Sequence, residues 1–211
     1  APNAVEKTLV AAITRIDLDH TELLGDTVEK MAAEKAGIVK PGCITVTYPV
    51  QEKEALQVIA AACIREKADL VAPEAEDIHL RQGGLFENRL EYGGYEVDLA
   101  LPGAHQACNA AMAIEIALAL WRKGLDISDE AILEGLEATR FPARIEVLRK
   151  QPLVLLDGSH NPAGAAALAA TLKAQKLPQK PVAVLGGLAD KAAAEMLRAL
   201  GGPFSTIYAL T

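Results

Sequence analysis

Cysteine is scarce in this chain. Only Cys43, Cys63 and Cys108 occur in 211 residues. Their number is odd and their spacing is neither CxxC nor zinc-like, which argues against a disulfide framework or a structural metal and points to a reducing, cytoplasmic compartment. Positive charge is short as well. A formal charge of -7 with no basic run argues against a nucleic-acid footprint or an anionic membrane partner. Small anionic ligands would then be held by local donors, not by the global field. The longest apolar stretch, Ala107 to Trp121, is interrupted by Asn109 and Glu115 and is too short to span a bilayer. No charged start followed by an apolar run marks a signal peptide, and there is no internal repeat or low-complexity tract.

What is there is apolar substance and α/β punctuation. Hydrophobic residues make up 51% of the chain, ample for one large or two small cores. An apolar run from Leu9 to Ile16 reads as a buried strand that delivers Asp17, Asp19 and His20 at its end. Sites are assembled at such strand ends, so His20 is a candidate ligand, with a loop or capping role as the alternative. Asp26 with Glu29 is a capping-box pattern that starts a helix near Thr27, and Gly37 followed by Pro41 closes it. Val28, Met31 and Ala32 share one helix face, and Lys35, seven residues after Val28, falls within that apolar stripe.

Lys35 carries two readings. It can reach past the last turn toward the negative end of the helix dipole. Alternatively, a desolvated lysine loses its proton more easily, and the neutral amine can take up carbon dioxide as a carbamate, a long-armed carboxylate suited to magnesium.

DHTELLG followed by AAEKAGIVKPG resembles the central domain of the folylpolyglutamate synthase and dihydrofolate synthase family of the Mur ligase superfamily. The resemblance implies that His20 is a magnesium ligand and that Lys35 is carbamylated and catalytic. It also implies a phosphate-cradling loop, a serine and a glutamate for magnesium, and a pterin-binding loop, all upstream of this segment. No glycine here is followed by lysine, so the phosphate loop is missing, and the opening APNAVEKTLV reads as a start cut from a longer protein.

Downstream, a strand from Cys43 to near Pro49, a helix from Glu52 to Lys67 with Leu56, Ile59, Ala60 and Cys63 inward, and a short strand at Leu70 to Ala72 continue a βαβα pattern. Gly83-Gly84 and Gly93-Gly94 separate alternating segments and predict tight hairpin turns in a small antiparallel extension. A helix from Ala104 to Lys123 is apolar nearly all round and is expected to be buried, Asn109 with it. A buried amide needs partners on both sides; a neighbouring loop or an adenine edge would supply them. LPGAHQACNAAMA resembles the family motif in which an asparagine after HQ contacts ATP, which maps onto Asn109. A further helix runs from Ser128 to Ala138.

TRFPA, from Thr139 to Ala143, reads as an extended connection and a domain boundary, because Pro142 forbids a continuing helix. Arg144 follows, either solvated or, as the FPGR-like motif of the family implies, contacting ATP; Ala143 stands where the family often has glycine. Strands at Ile145–Leu148 and Leu153–Leu156 precede DGSHNP and a helix from Ala163 to Ala174, with Asn161 as cap and Pro162 in its first turn. Asp157 and His160 therefore lie between a strand end and a helix N-terminus, where α/β folds bind anions and nucleotides. LLDGSHNP resembles the family's LDGAHNP motif, which implies an ATP contact for Asp157 and a catalytic position near the phosphates for His160. A last strand, helix and strand follow in PVAVLGG, Lys191–Leu200 and STIYALT.

The expectation is an α/β protein. Residues 1–139 would form part of a Mur-ligase central ATPase domain, a parallel sheet with helices and an antiparallel extension. Residues 140–211 would form part of a Rossmann-like C-terminal domain. The resemblance implies an ATP- and magnesium-dependent ligase that adds L-glutamate to folate or dihydropteroate through an acyl phosphate, monomeric when intact, with the 211 residues alone inactive. A non-catalytic nucleotide-binding module and a peptidoglycan Mur ligase are the alternatives.

Overall fold

The computed structural model describes residues 5–16, 27–81, 83–186 and 191–210, excepting the side chains of residues 191 and 192. Contacts divide the chain into two compact units, one of residues 1–78 with 108–134 and one of residues 79–107 with 135–211.

In the first unit, β1 (Val10–Ile13), β2 (Ile44–Thr47) and β3 (Asp69–Val71) form a parallel sheet in the order β1-β2-β3. Parallel strands need covered faces, and two core clusters supply the cover. On one side Ala11 and Ile13 pack with Met31, Ala32 and Ala36 of α1 (Val28–Ala36) and with Ala55, Ile59, Ala62 and Cys63 of α2 (Lys53–Glu66). On the other, Ile44, Val46 and Tyr48 meet Met112 and Ala119 of α3 (His105–Arg122). β2, central in the sheet, is buried along its whole length.

Several local expectations shift. The first strand is shorter than Leu9–Ile16, and Ala12 within it is exposed. α1 begins as expected, but its cap is Thr27, whose hydroxyl accepts from the Lys30 N–H at 3.3 Å; Asp26 lies outside the described residues. The buried face of α2 runs through Ala55 and Ala62 beside Ile59 and Cys63, with Leu56 and Ala60 half-buried at its border.

In the second unit β4 (His79–Arg81), β5 (Arg89–Tyr92) and β6 (Tyr95–Asp98) form the expected antiparallel sheet. Gly93 and Gly94, at φ 58 and 86, make the two-residue turn that pairs Tyr92 with Tyr95, a geometry that glycine adopts without steric cost. Gly83-Gly84, by contrast, lies in the long connection between Arg81 and Arg89 rather than in a tight turn. α4 (Asp129–Ala138) begins at the Ser128 cap, whose hydroxyl accepts from the Ala131 N–H at 3.2 Å.

β7 (Glu146–Lys150) and β8 (Leu153–Leu156) pair antiparallel with a bulge between Val147 and Arg149. Then α5 (Pro162–Ala174), β9 (Val182–Gly186), α6 (Lys191–Leu200) and β10 (Thr206–Leu210) follow, with β9 and β10 parallel. Ala165, Met196 and Leu200 form a core with Leu185 and Ile207, and Leu85, Ile145 and Leu172 form another with Leu153 and Leu155. The segment 79–107, expected with the first block, clusters with residues 135–211.

Candidate functional site

Two loops come together in the second unit. The first follows α4. Pro142 and Ala143 make a turn here, not the extended connection expected of TRFPA, and both Ala143 and Ile145 are left-handed, at φ 57 and 51. Such a conformation is disfavoured for alanine and is an outlier for a β-branched residue, so something must hold it. The holder is the second loop, at the end of β8. The Gly158 N–H donates to the Ala143 carbonyl at 2.7 Å. Asp157 accepts from the Ile145 N–H through Oδ2 at 2.9 Å and from the Ser159 N–H through Oδ1 at 3.0 Å. Glu146 adds an acceptor for the Ala143 N–H at 2.9 Å. Ile145 is itself buried, 3% exposed, in the core beside Leu172.

The outcome is that Arg144 and Asp157, 13 positions apart, share one hydrogen-bonded structure. The Arg144 side chain is exposed, its guanidinium 5.4 Å from the centre of the Phe141 ring. Directly after Asp157, His160 is exposed, with its Nδ1 3.1 Å from the Gly158 carbonyl oxygen. Asn161 caps α5 by accepting from the Gly164 N–H at 2.8 Å, with Pro162 in the first turn. The positive end of a 13-residue helix therefore points at this loop, which suits a negatively charged group.

His105, the first residue of α3, belongs to the same neighbourhood. Burial pushes its pKa below the usual histidine value, while the Asp157 charge pulls it up and the Arg144 charge pushes it down. Its Nε2 is 3.1 Å from the Gln106 Nε2. Just ahead, Gly103 sits at φ 102, and a Cβ there would lie 2.6 Å from the Thr171 Oγ1 and 2.7 Å from the His105 ring. Sequence reasoning used the HQ doublet as a landmark for Asn109 and missed its histidine, although that doublet was the available signal.

The other predicted residues fare differently. Asn109, expected to be buried, is exposed on α3, since an apolar helix still turns some positions to solvent. It lies in the first unit, as does Lys35. Lys35 is half-buried in the last turn of α1, not within the core with Met31 and Ala36. It is the basic residue of that last turn, and just beyond it the Lys40 ammonium donates to the Gly37 carbonyl at 3.0 Å. His20 lies outside the described residues. Gln51, which the sequence did not single out, holds the approach to that segment. Its side chain accepts from the Ile16 N–H at 3.0 Å and donates to the Thr14 carbonyl at 2.9 Å and to the Thr47 hydroxyl at 3.2 Å.

Among the described residues no group of three or more His, Cys, Asp or Glu is placed to hold a metal ion, and no helix is long and apolar enough to cross a membrane. The three cysteines are free, Cys43 and Cys63 buried; burial pushes the Cys63 thiol up. Two shallow cavities of about 400 and 440 Å³ lie along the hairpin sheet, lined by Phe86 with Gln175 and by Phe86 with Asn88. Neither is lined by Arg144 or Asp157.

Residues 143–211 match the family model of the Mur ligase glutamate ligase domain; the match begins at the left-handed turn and takes in the whole of the second loop. The matched residues are those of the second unit from Ala143 onward. The chain is 37% identical over 210 residues to the dihydrofolate synthase/folylpolyglutamate synthase of Bacillus subtilis, covering 94% of this chain and 47% of that protein. It is 35% identical to the folylpolyglutamate synthase of Lacticaseibacillus casei, covering 95% and 48%.

Among solved structures, the Mycobacterium tuberculosis folylpolyglutamate synthase complexed with ADP and AMPPCP superposes with a TM-score of 0.84 at 32% identity, covering 98% of this chain and 48% of that one. A folylpolyglutamate synthase complex with AMPPCP and folate gives a TM-score of 0.82 at 32% identity, covering 95% and 50%. The chain is similar along nearly its whole length to folylpolyglutamate synthases and dihydrofolate synthases, and it spans about half the length of the relatives it matches.

Proposed function

We propose that the protein containing this chain is an ATP-dependent carboxylate–amine ligase that adds L-glutamate to a folate or to dihydropteroate. The observation that carries this reading is the hydrogen-bonded pairing of the 143–146 turn with the 157–159 loop at the start of α5. It ties the backbone on both sides of Arg144 to the Asp157 carboxylate and Gly158, just ahead of a helix N-terminus. A guanidinium suits a phosphate, a carboxylate suits ribose hydroxyls, and the helix end suits negative charge. Related proteins solved with ADP, AMPPCP and folate support the same reading.

In this scheme the substrate carboxylate attacks the terminal phosphorus of ATP, releasing ADP and forming an acyl phosphate. The amine of glutamate then attacks the acyl carbon, loses a proton, and phosphate departs. Arg144 binds phosphate oxygens, Asp157 orients the ribose, His160 sits near the phosphates and Asn109 reads the adenine edge. His20 and Lys35, the latter as a carbamate, are the proposed magnesium ligands, and the bound metal would neutralise charge on the transferring phosphoryl group. The domain boundary at 139/140, with a Rossmann-like second domain, belongs to the same proposal and is supported by a family match that starts at residue 143. So does a monomeric protein at work in the cytoplasm.

The test is an assay of the intact protein with ATP, magnesium, glutamate and either folate or dihydropteroate. ADP, phosphate and a glutamate-extended product are expected, and Asp157→Ala should abolish ATP binding in a calorimeter. Turnover on uridine-nucleotide muramyl substrates with none on folates would transfer the protein to the peptidoglycan branch. ATP binding without turnover on any of them would make it a nucleotide-binding module.

A further inference from the structure

The nucleotide reading makes Arg144 and Asp157 independent contacts, yet the backbone ties them together. Arg144 stands between Ala143 and Ile145, the left-handed pair at φ 57 and 51. Neither residue type favours that region, and a disfavoured conformation persists only where the surroundings impose it. The direction in which Arg144 leaves the chain follows from those two neighbours. Two hydrogen bonds from the β8–α5 loop impose the turn: Gly158 N–H to the Ala143 carbonyl at 2.7 Å and Ile145 N–H to the Asp157 Oδ2 at 2.9 Å. Only the second depends on a side chain.

We propose that Asp157 is a positioning residue for Arg144: its carboxylate, by accepting the Ile145 N–H, locks the 143–145 turn and aims the guanidinium at the phosphates of a bound nucleotide. The proposal rests on the nucleotide reading and adds a cause to it. The chemistry demands a carboxylate. Oδ2 and Oδ1 each take one backbone N–H, from Ile145 and from Ser159, and an ionised carboxylate is an acceptor on both oxygens with lone pairs to spare for a ligand. An asparagine has one acceptor and one donor, so one of the two N–H groups would face another donor. Asp157→Asn therefore preserves size and shape while breaking the lock.

The experiment has two arms on the intact protein. In the first, amide hydrogen exchange is followed residue by residue. Exchange at Ile145 should be faster by about tenfold or more in Asp157→Ala, which removes both acceptors, and in Asp157→Asn where the amide nitrogen faces Ile145, as loss of a hydrogen bond to a charged acceptor implies; unchanged exchange at Ile145 in Asp157→Ala overturns the lock.

In the second arm the probe is inorganic tripolyphosphate, which has no ribose for Asp157 to touch. Asp157→Asn should weaken its binding as much as Arg144→Ala does, and the double variant should bind no more weakly than Arg144→Ala alone. Wild-type tripolyphosphate affinity in Asp157→Asn would overturn the proposal and leave Asp157 a ribose contact only. Val147→Ala, chosen to lower the unfolding midpoint without touching the lock, should leave tripolyphosphate affinity unchanged; an equal loss there would reduce the Asp157 effect to general destabilisation. If Arg144→Ala itself binds tripolyphosphate normally, the nucleotide reading of Arg144 fails, while the exchange arm still judges the lock.

Discussion

Adding one methyl group at Gly103 should damage this protein more than its size suggests. Gly103 is buried at φ 102, and a Cβ there would stand 2.6 Å from the Thr171 Oγ1 and 2.7 to 2.9 Å from the His105 ring. Neither neighbour can retreat cheaply. Thr171 is 2% exposed and its hydroxyl donates to the Ala167 carbonyl at 2.8 Å within α5. The backbone strain of Gly103→Ala costs about 1–3 kcal/mol, and forcing an atom into a filled space costs about 1–3 kcal/mol more.

A loss of about 2–6 kcal/mol lowers the midpoint of a chain this size by about 4–24 °C. Gly94→Ala is the control, since Gly94 has φ 86 and nothing within 4 Å of its Cβ position; it should show the strain cost alone, about 1–3 kcal/mol. Thr171→Ala removes the nearest obstacle and should recover part of the Gly103→Ala loss in a double variant. Urea unfolding of the four variants measures all of this. Equal losses for Gly103→Ala and Gly94→Ala, or no recovery in the double variant, would refute the steric argument.

Ala143→Gly should stabilise the protein. The left-handed alanine costs about 1–2 kcal/mol, glycine's extra freedom in the unfolded chain takes back about 0.5–1 kcal/mol, and urea unfolding should show the net gain of up to about 1.5 kcal/mol. Stability should also fall on mild acidification through His105. Its pKa is lowered in the folded protein, so the unfolded chain takes up the proton first, and the contribution is complete above the ordinary histidine value of about 6.5 and declines as pH falls below it. His105→Asn should flatten that decline in urea midpoints measured from pH 7.5 downward, and an unchanged slope would contradict it.

Local signals were legible where chemistry within a few residues decided the outcome. Asn161 and Pro162 mark the start of α5, Ser128 that of α4, and Gly93-Gly94 the β5–β6 turn, because caps and turns are built from their own residue types. The parallel sheet was legible for the same reason, from strands alternating with helices. What was not legible depends on partners far away in the chain. Ala143 and Ile145 look like ordinary chain, and only a carboxylate 12 residues on from Ile145 makes the left-handed turn hold.

Asn109 lies on a helix apolar enough to suggest burial, but which positions of α3 face solvent is settled by packing, with Ala107, Ala110, Ala111 and Ile114 inward. Lys35 fell on the apolar stripe by spacing, yet it stands in the last turn of a nine-residue helix and is only half-buried. His105 went unnoticed because its interest lies in Asp157 and Arg144, neither near it in sequence.

The most direct measurement of the central claim is a crystal structure of the intact protein with a non-hydrolysable ATP analogue. It should show the phosphates at the N-terminus of α5 with the Arg144 guanidinium on a phosphate oxygen, and the Asp157 carboxylate facing the ribose while still accepting the Ile145 N–H. An analogue bound away from the 157–160 loop, or an Arg144 turned from its phosphates, would contradict the account.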